Sequence, residues 1–158
     1  MNFGFRHHNR AKYPRRHILV CEDALEQQSR IAKHFSEVFE SEGDVQFSFV
    51  PGSLHAAAIV AYTNVDLIIL DHDMPQGNGE DLIRWLKNNN KHITVMTFSG
   101  LPQNNKHMMD LGAKHLFSKE EVVEGKADDI IRNHLREQQG ADDMRADMER
   151  EAKATMEQ

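Results

Sequence analysis

The chain has one cysteine, four prolines, one tryptophan and no long apolar run in its 158 residues. A single Cys21 cannot close an internal disulfide, which excludes a disulfide-stapled secreted scaffold and favours a reducing compartment. It excludes a cysteine-based zinc site as well. No stretch approaches the roughly 20 apolar residues of a membrane-spanning helix, and no apolar run follows the basic N-terminus as in a signal peptide. A cytoplasmic protein with no membrane partner is the expectation. Acids are missing at the start: none precedes Glu22, while Arg6, Arg10, Lys12, Arg15 and Arg16 give residues 1–17 a charge of +5. Residues 18–136 carry −7 and residues 137–158 carry −4, for a net −6. That acidic middle lacks the clustered Lys and Arg that phosphate contacts require, which argues against a nucleic-acid-binding face.

Five short apolar runs stand in the middle of the chain: 17–21, 45–50, 66–70, 93–98 and 114–117. Each is strand-length and rich in Val, Ile, Leu or Phe. Helical spacing fills the gaps. Leu25, Gln28, Ile31, Phe35, Val38 and Phe39 mark a face over 24–40. Leu54, Ala57, Ala58 and Ala61 mark a second, with Ser53 as its expected N-cap. Leu82, Ile83, Trp85 and Leu86 mark a third, opening after Gly79, and a shorter helix is expected near 104–111. The last begins at Asp128–Asp129, acids suited to a helix N-terminus.

Strands alternating with helices predict an α/β protein, a doubly wound five-stranded parallel sheet in a three-layer α/β/α sandwich. Residues 1–16 read as a basic N-terminal tail, 17–136 as the domain, and 137–158 as a C-terminal helical extension or tail. Ala141, Met144, Met148, Ala152 and Met156 form a thin apolar stripe there, a possible route to a homodimer.

Ligands of open α/β sheets bind beyond the carboxyl ends of the strands. The runs end in Glu22-Asp23, Asp71-His72-Asp73, Ser99-Gly100 and Ser118-Lys119. Three or four carboxylates, a hydroxyl and an ammonium would then share one rim. Such acids repel unless a cation joins them. A hard divalent ion such as Mg²⁺ suits oxygen ligands, and Lys119 supplies a fixed positive charge. That set is equipped for phosphoryl transfer to a carboxylate.

Residues 17–136 resemble the receiver domain of two-component response regulators. LIILDHDMPQGNG (67–79), VCED (20–23), TVMTFSG (94–100) and GAKHLFSK (112–119) carry the resemblance, in family order. It implies the flavodoxin-like receiver fold, with Asp71 as phosphoacceptor, Ser99 as switch hydroxyl and Lys119 as the lysine of the site. It also implies Mg²⁺ held by Glu22, Asp23, Asp71 and the backbone carbonyl of Asp73. The implied partners are a histidine kinase or histidine phosphotransfer protein, and a downstream protein. No DNA-binding output domain is expected, nor any enzyme activity beyond the domain's own phosphorylation and dephosphorylation.

Two positions depart from the family. Leu116 stands where an aromatic is usual, and Glu120 follows Lys119 in place of proline. A cis bond before a non-proline costs about 2.5–4 kcal/mol, so a trans bond is expected. A pseudo-receiver, keeping the fold as a constitutive interaction module, is the alternative reading. The Asp-x-Asp of residues 71–73 also occurs in haloacid-dehalogenase-type phosphatases, but Pro75 and the third-strand position speak against that family. Asp73 and Leu101 flank the expected path of attacking water. His72 reads as an exposed loop residue without a task, and Cys21 and Trp85 as packing.

Overall fold

The computed structural model describes residues 16–39, 45–99 and 102–158, with the backbone alone at 102–105. Of the expected N-terminal tail over 1–16, residues 1–15 lie outside the described residues, as do Gly100 and Leu101, whereas Arg16 opens the first strand. The elements run β1 (Arg16–Cys21), α1 (Leu25–Phe39), β2 (Val45–Val50), α2 (Ser53–Tyr62), β3 (Leu67–Asp71) and α3 (Gly79–Asn88). They continue with β4 (Thr94–Phe98), α4 (Pro102–Asp110), β5 (His115–Phe117), α5 (Lys119–Val123) and α6 (Asp128–Met156).

The strands form one parallel sheet in the order β2-β1-β3-β4-β5. It is the expected doubly wound sheet. The pleat sends alternate residues to opposite faces. Leu19, Cys21, Ile68, Leu70 and Val95 pack with Ala56 and Val60 of α2, Leu82, Ile83 and Leu86 of α3, and Met108 of α4. Ile31, Phe35 and Phe39 of α1 are buried as well, and Phe35 stacks on Phe47 of β2 at 5.1 Å. Burial of β1 and β3 along their whole lengths explains why both read as continuous apolar runs.

Three local expectations are corrected. The N-cap of α2 is Gly52 rather than Ser53, and no side chain caps that helix. Its buried residues are Ser53, Ala56 and Val60, whereas Leu54, Ala58 and Ala61 face water. A helix with apolar residues on both faces and no charged one has little periodicity by which its inner face can be told. The fourth helix begins at Pro102 instead of after it, since the first turn needs no backbone N–H and proline's φ already suits it.

Contacts separate the residues up to Ala127 from Asp128–Gln158 as two compact units. The second unit is dominated by α6, 29 residues long and unbroken across 136–137. Along it, Arg132 pairs with Asp129 at 2.9 Å and Arg145 with Asp142 at 3.6 Å, both at i,i+3. Among the described residues no helix is long and apolar enough to cross a membrane.

Candidate functional site

β1 lies between β2 and β3 although it precedes both, so the chain departs from it in opposite directions. The crevice at that reversal is where open α/β sheets bind ligands. Cys21 is paired with Leu70 in the ladder, and one step beyond them stand Glu22 and Asp71. Register alone therefore sets two carboxylates side by side. Carboxylate oxygens of Glu22, Asp23 and Asp71 lie within 4.8 Å of one another.

Glu22 is fully buried and Asp71 almost so. Lys119 Nζ reaches both, at 2.9 Å from Glu22 Oε2 and 3.0 Å from Asp71 Oδ2. The other oxygens are held by backbone: Ala24 N–H donates to Glu22 Oε1 at 3.0 Å, and Asp73 N–H to Asp71 Oδ1 at 3.4 Å. The ammonium is the contact of Glu22 Oε2, and among the described residues no other group donates to that oxygen. Burial pushes the Asp71 carboxyl above its ordinary 3.8. The hydrogen bond and charge of Lys119 pull it back, and the charge of Glu22 adds to the rise. Burial works against the Lys119 ammonium, yet Glu22 and Asp71 together hold its pKa above the ordinary value. One cation thus answers two buried anions. An all-oxygen set of three clustered carboxylates with one ammonium among them suits a hard divalent cation.

The lysine is positioned from its own helix. Ser118 caps α5, accepting from Glu121 N–H at 3.1 Å while its own N–H donates to Glu121 Oε1. Glu120 is gripped by both terminal nitrogens of Arg30 on α1, at 3.0 and 2.9 Å. The Lys119–Glu120 bond is trans, as expected. The spacing Ser118-x-x-Glu121 signals this cap in the sequence; the Arg30–Glu120 fork, 90 residues apart, carries no local signal.

Ser99 is buried at the end of β4, its N–H donating to Phe117 O at 3.2 Å. Leu116 is exposed on β5. Asp73 does not join the other carboxylates through its side chain, which meets His72 Nδ1 at 2.8 Å. His72 is not the idle loop residue expected. Its Nε2 lies 3.0 Å from Glu80 Oε1, which His107 Nε2 also approaches at 3.1 Å. A neutral imidazole has one N–H to give, and here both ring nitrogens face carboxylates. Burial opposes the charge, but Glu80 and Asp73 hold the His72 pKa above 6.5. Cys21 is buried, and its thiol is pushed far up by burial and then by Asp71, so it packs rather than reacts. Gly79 is fixed by contact: a Cβ there would fall 2.7 Å from Asp71 O and from Met108 Sδ.

The comparisons agree with this geometry. No curated protein matches the chain. A signal receiver domain from Vibrio parahaemolyticus is similar in structure at 20% identity, covering 82% of this chain and 96% of that one, with a TM-score of 0.66. A Francisella response regulator receiver domain shows 20% identity, coverage of 77% and 98%, and a TM-score of 0.60. The signal receiver domain of a histidine kinase from Syntrophus aciditrophicus shows 27% identity, coverage of 69% and 90%, and a TM-score of 0.52. The sequence profile of the response regulator receiver domain matches residues 18–149. With strand order, acid pair and lysine in agreement, this chain belongs to the response regulator receiver domain family.

Proposed function

We propose that the chain is a phosphorylation switch that takes a phosphoryl group from a phosphohistidine onto Asp71. The observation that carries this reading is the imbalance at the strand ends, where two buried carboxylates, Glu22 and Asp71, share the single ammonium of Lys119. Glu22, Asp23, Asp71 and the Asp73 carbonyl would hold Mg²⁺, which supplies charge neutralisation for the transferring oxygens.

The chain's own residues do the rest. An Asp71 oxygen attacks phosphorus as the phosphorus–nitrogen bond of the donor breaks; the imidazole keeps that bonding pair and takes up a proton. Lys119 moves from the carboxylate to a phosphoryl oxygen, and the Ser99 hydroxyl donates to another. Relocation of these two groups biases the β4–β5 side of the domain between two packings, which a downstream protein reads. The donor is a histidine kinase or a histidine phosphotransfer protein. Each Asp71 accepts one group, so the protein is a substrate of the relay rather than an enzyme turning over a separate one.

The test is acetyl phosphate with Mg²⁺, read by intact mass, beside beryllofluoride followed by Trp85 fluorescence. Wild type should gain one phosphoryl mass only with Mg²⁺, and Asp71→Asn none. No adduct and no beryllofluoride response at saturating Mg²⁺ would overturn the switch and leave a pseudo-receiver.

A further inference from the structure

Beside the phosphoacceptor position, side chains from a loop and two helices meet in a group that the transfer chemistry leaves unused. Glu80 Oε1, in the first turn of α3, lies 3.0 Å from His72 Nε2 and 3.1 Å from His107 Nε2 on α4. The other ring nitrogen of His72 lies 2.8 Å from Asp73 Oδ1. The contacts therefore run in series from α4 through α3 to the loop after β3. They end on a carboxylate two residues past Asp71. The side chains of His72 and Glu80 are 15% and 21% exposed, so their contact is screened less than a surface pair.

Backbone packing braces the same joint. Gly79 N–H donates to His72 O at 3.1 Å and closes the loop on itself. Met108, next to His107, is fully buried, and a Cβ on Gly79 would fall 2.7 Å from Met108 Sδ and from Asp71 O. Helix α4 thus bears on the phosphoacceptor strand through Met108 and on Asp73 through the His107 series. Asp73 N–H donates to Asp71 Oδ1 at 3.4 Å, so the Asp73 side chain springs from backbone already in touch with the reacting carboxylate. That side chain is 62% exposed and is directed to the imidazole, apart from the group of Glu22, Asp23 and Asp71.

We propose that His107, Glu80 and His72 are positioning residues that hold the Asp73 carboxylate aside, so that the seat of α4 sets how long a phosphoryl group stays on Asp71. The inference rests on the reading of Asp71 as phosphoacceptor. When the group is lost to water, a water oxygen bonds to phosphorus. The bond from phosphorus to the Asp71 oxygen breaks, and its electron pair returns to the carboxylate. One water proton stays on the departing phosphate, and the other needs a base. Released from His72, the Asp73 carboxylate can turn to that water and take the proton. Held at the imidazole, it is kept from that task. A protein that seats on α4 and draws His107 from Glu80 then shortens the signal it reads.

The test is the decay of protein labelled by acetyl phosphate, followed by intact mass in constant Mg²⁺ after the donor is removed. Glu80→Ala and His72→Ala should each shorten the lifetime about tenfold, part of what a positioned base supplies. The double variant should fall no further than either alone, as for residues that act as a unit. His107→Ala, at a half-exposed side chain, should shorten it about threefold. His107→Gln, which can still donate to Glu80, should restore it. Asp73→Asn added to Glu80→Ala should return the wild-type lifetime, because an amide takes no proton. A wild-type lifetime in Glu80→Ala or His107→Ala, additive losses in the double variant, or a short lifetime retained with Asp73→Asn each overturns the inference and leaves the switch standing. A wild type that takes no phosphoryl group overturns the switch, and the inference with it.

Discussion

At one end of the sheet Arg16 meets Asp66 at 3.1 Å; at the other, Lys119 meets Glu22 and Asp71 at 2.9 and 3.0 Å. The distances hardly differ and both clusters are largely withdrawn from water. The composition does. Asp66 also accepts the His17 N–H at 2.9 Å, so its two oxygens are each engaged and the pair ties β1 to the turn before β3. Beyond Cys21 and Leu70 the same two strands deliver two acids to one ammonium, so one negative charge is left over. A fold has no structural need for that surplus, since a buried charge without full compensation destabilises it. The first cluster fastens the sheet. The second is poised for a further positive group.

Substitutions should separate the two clusters, and the largest effect belongs to the shared cation. Lys119→Met leaves Glu22 and Asp71 facing each other and should cost about 3 kcal/mol in urea unfolding, partly recovered with Mg²⁺. A loss below about 1 kcal/mol would mean that these acids are solvated, and the contrast would fail. Asp66→Asn should cost about 2 kcal/mol by weakening the anchor of the buried Arg16. It should leave acetyl-phosphate labelling of Asp71 unchanged; altered labelling would show that the two ends are not independent.

Asp71→Asn should act with the opposite sign. Removing one of two anions from a site with one cation should stabilise the fold by about 1 kcal/mol while abolishing the phosphoryl adduct. A destabilised Asp71→Asn would place the surplus elsewhere.

The smallest expected effect is in pH dependence. The folded Asp71 carboxyl holds its proton above the ordinary 3.8. Its contribution to stability is therefore fully present below that value and is lost as pH rises through the folded pKa. Urea midpoints between about pH 3.5 and 7 should show this downward component in wild type and lack it in Asp71→Asn, after comparison with Asp66→Asn. Equal slopes for wild type and Asp71→Asn would remove Asp71 as its source.

Much of the fold can be read from the chain because its strands are short apolar runs, two of them closed by acids. The run over 45–50 coincides with β2, and β1, β3 and β4 each begin or end within one residue of their runs. The first helix follows its Ile31, Phe35 and Phe39 spacing. Reading fails where the pattern carries no contrast. α2 has no Asp, Glu, Lys or Arg to mark an outer face, so spacing marked the face that water covers. It fails again where partners are distant: Glu80 on α3 engages His72 beside Asp71 and is met in turn by His107 on α4, and nothing local in 71–73 announces them.

The sequence by itself determined that acids stand at the strand ends and a lysine beyond the fifth run, since hydrophobic burial fixes where each strand stops. It also determined the parallel, doubly wound class, through the alternation of strand and helix periods. Only the tertiary structure decided which acids share the lysine. The reversal at β1 makes it the neighbour of β3, and their register aligns Glu22 with Asp71. Past the strand end the chain turns, and Asp73 directs its carboxylate to His72 instead. Sheet pairing is a contact between residues 49 apart, and no local pattern in either segment specifies it.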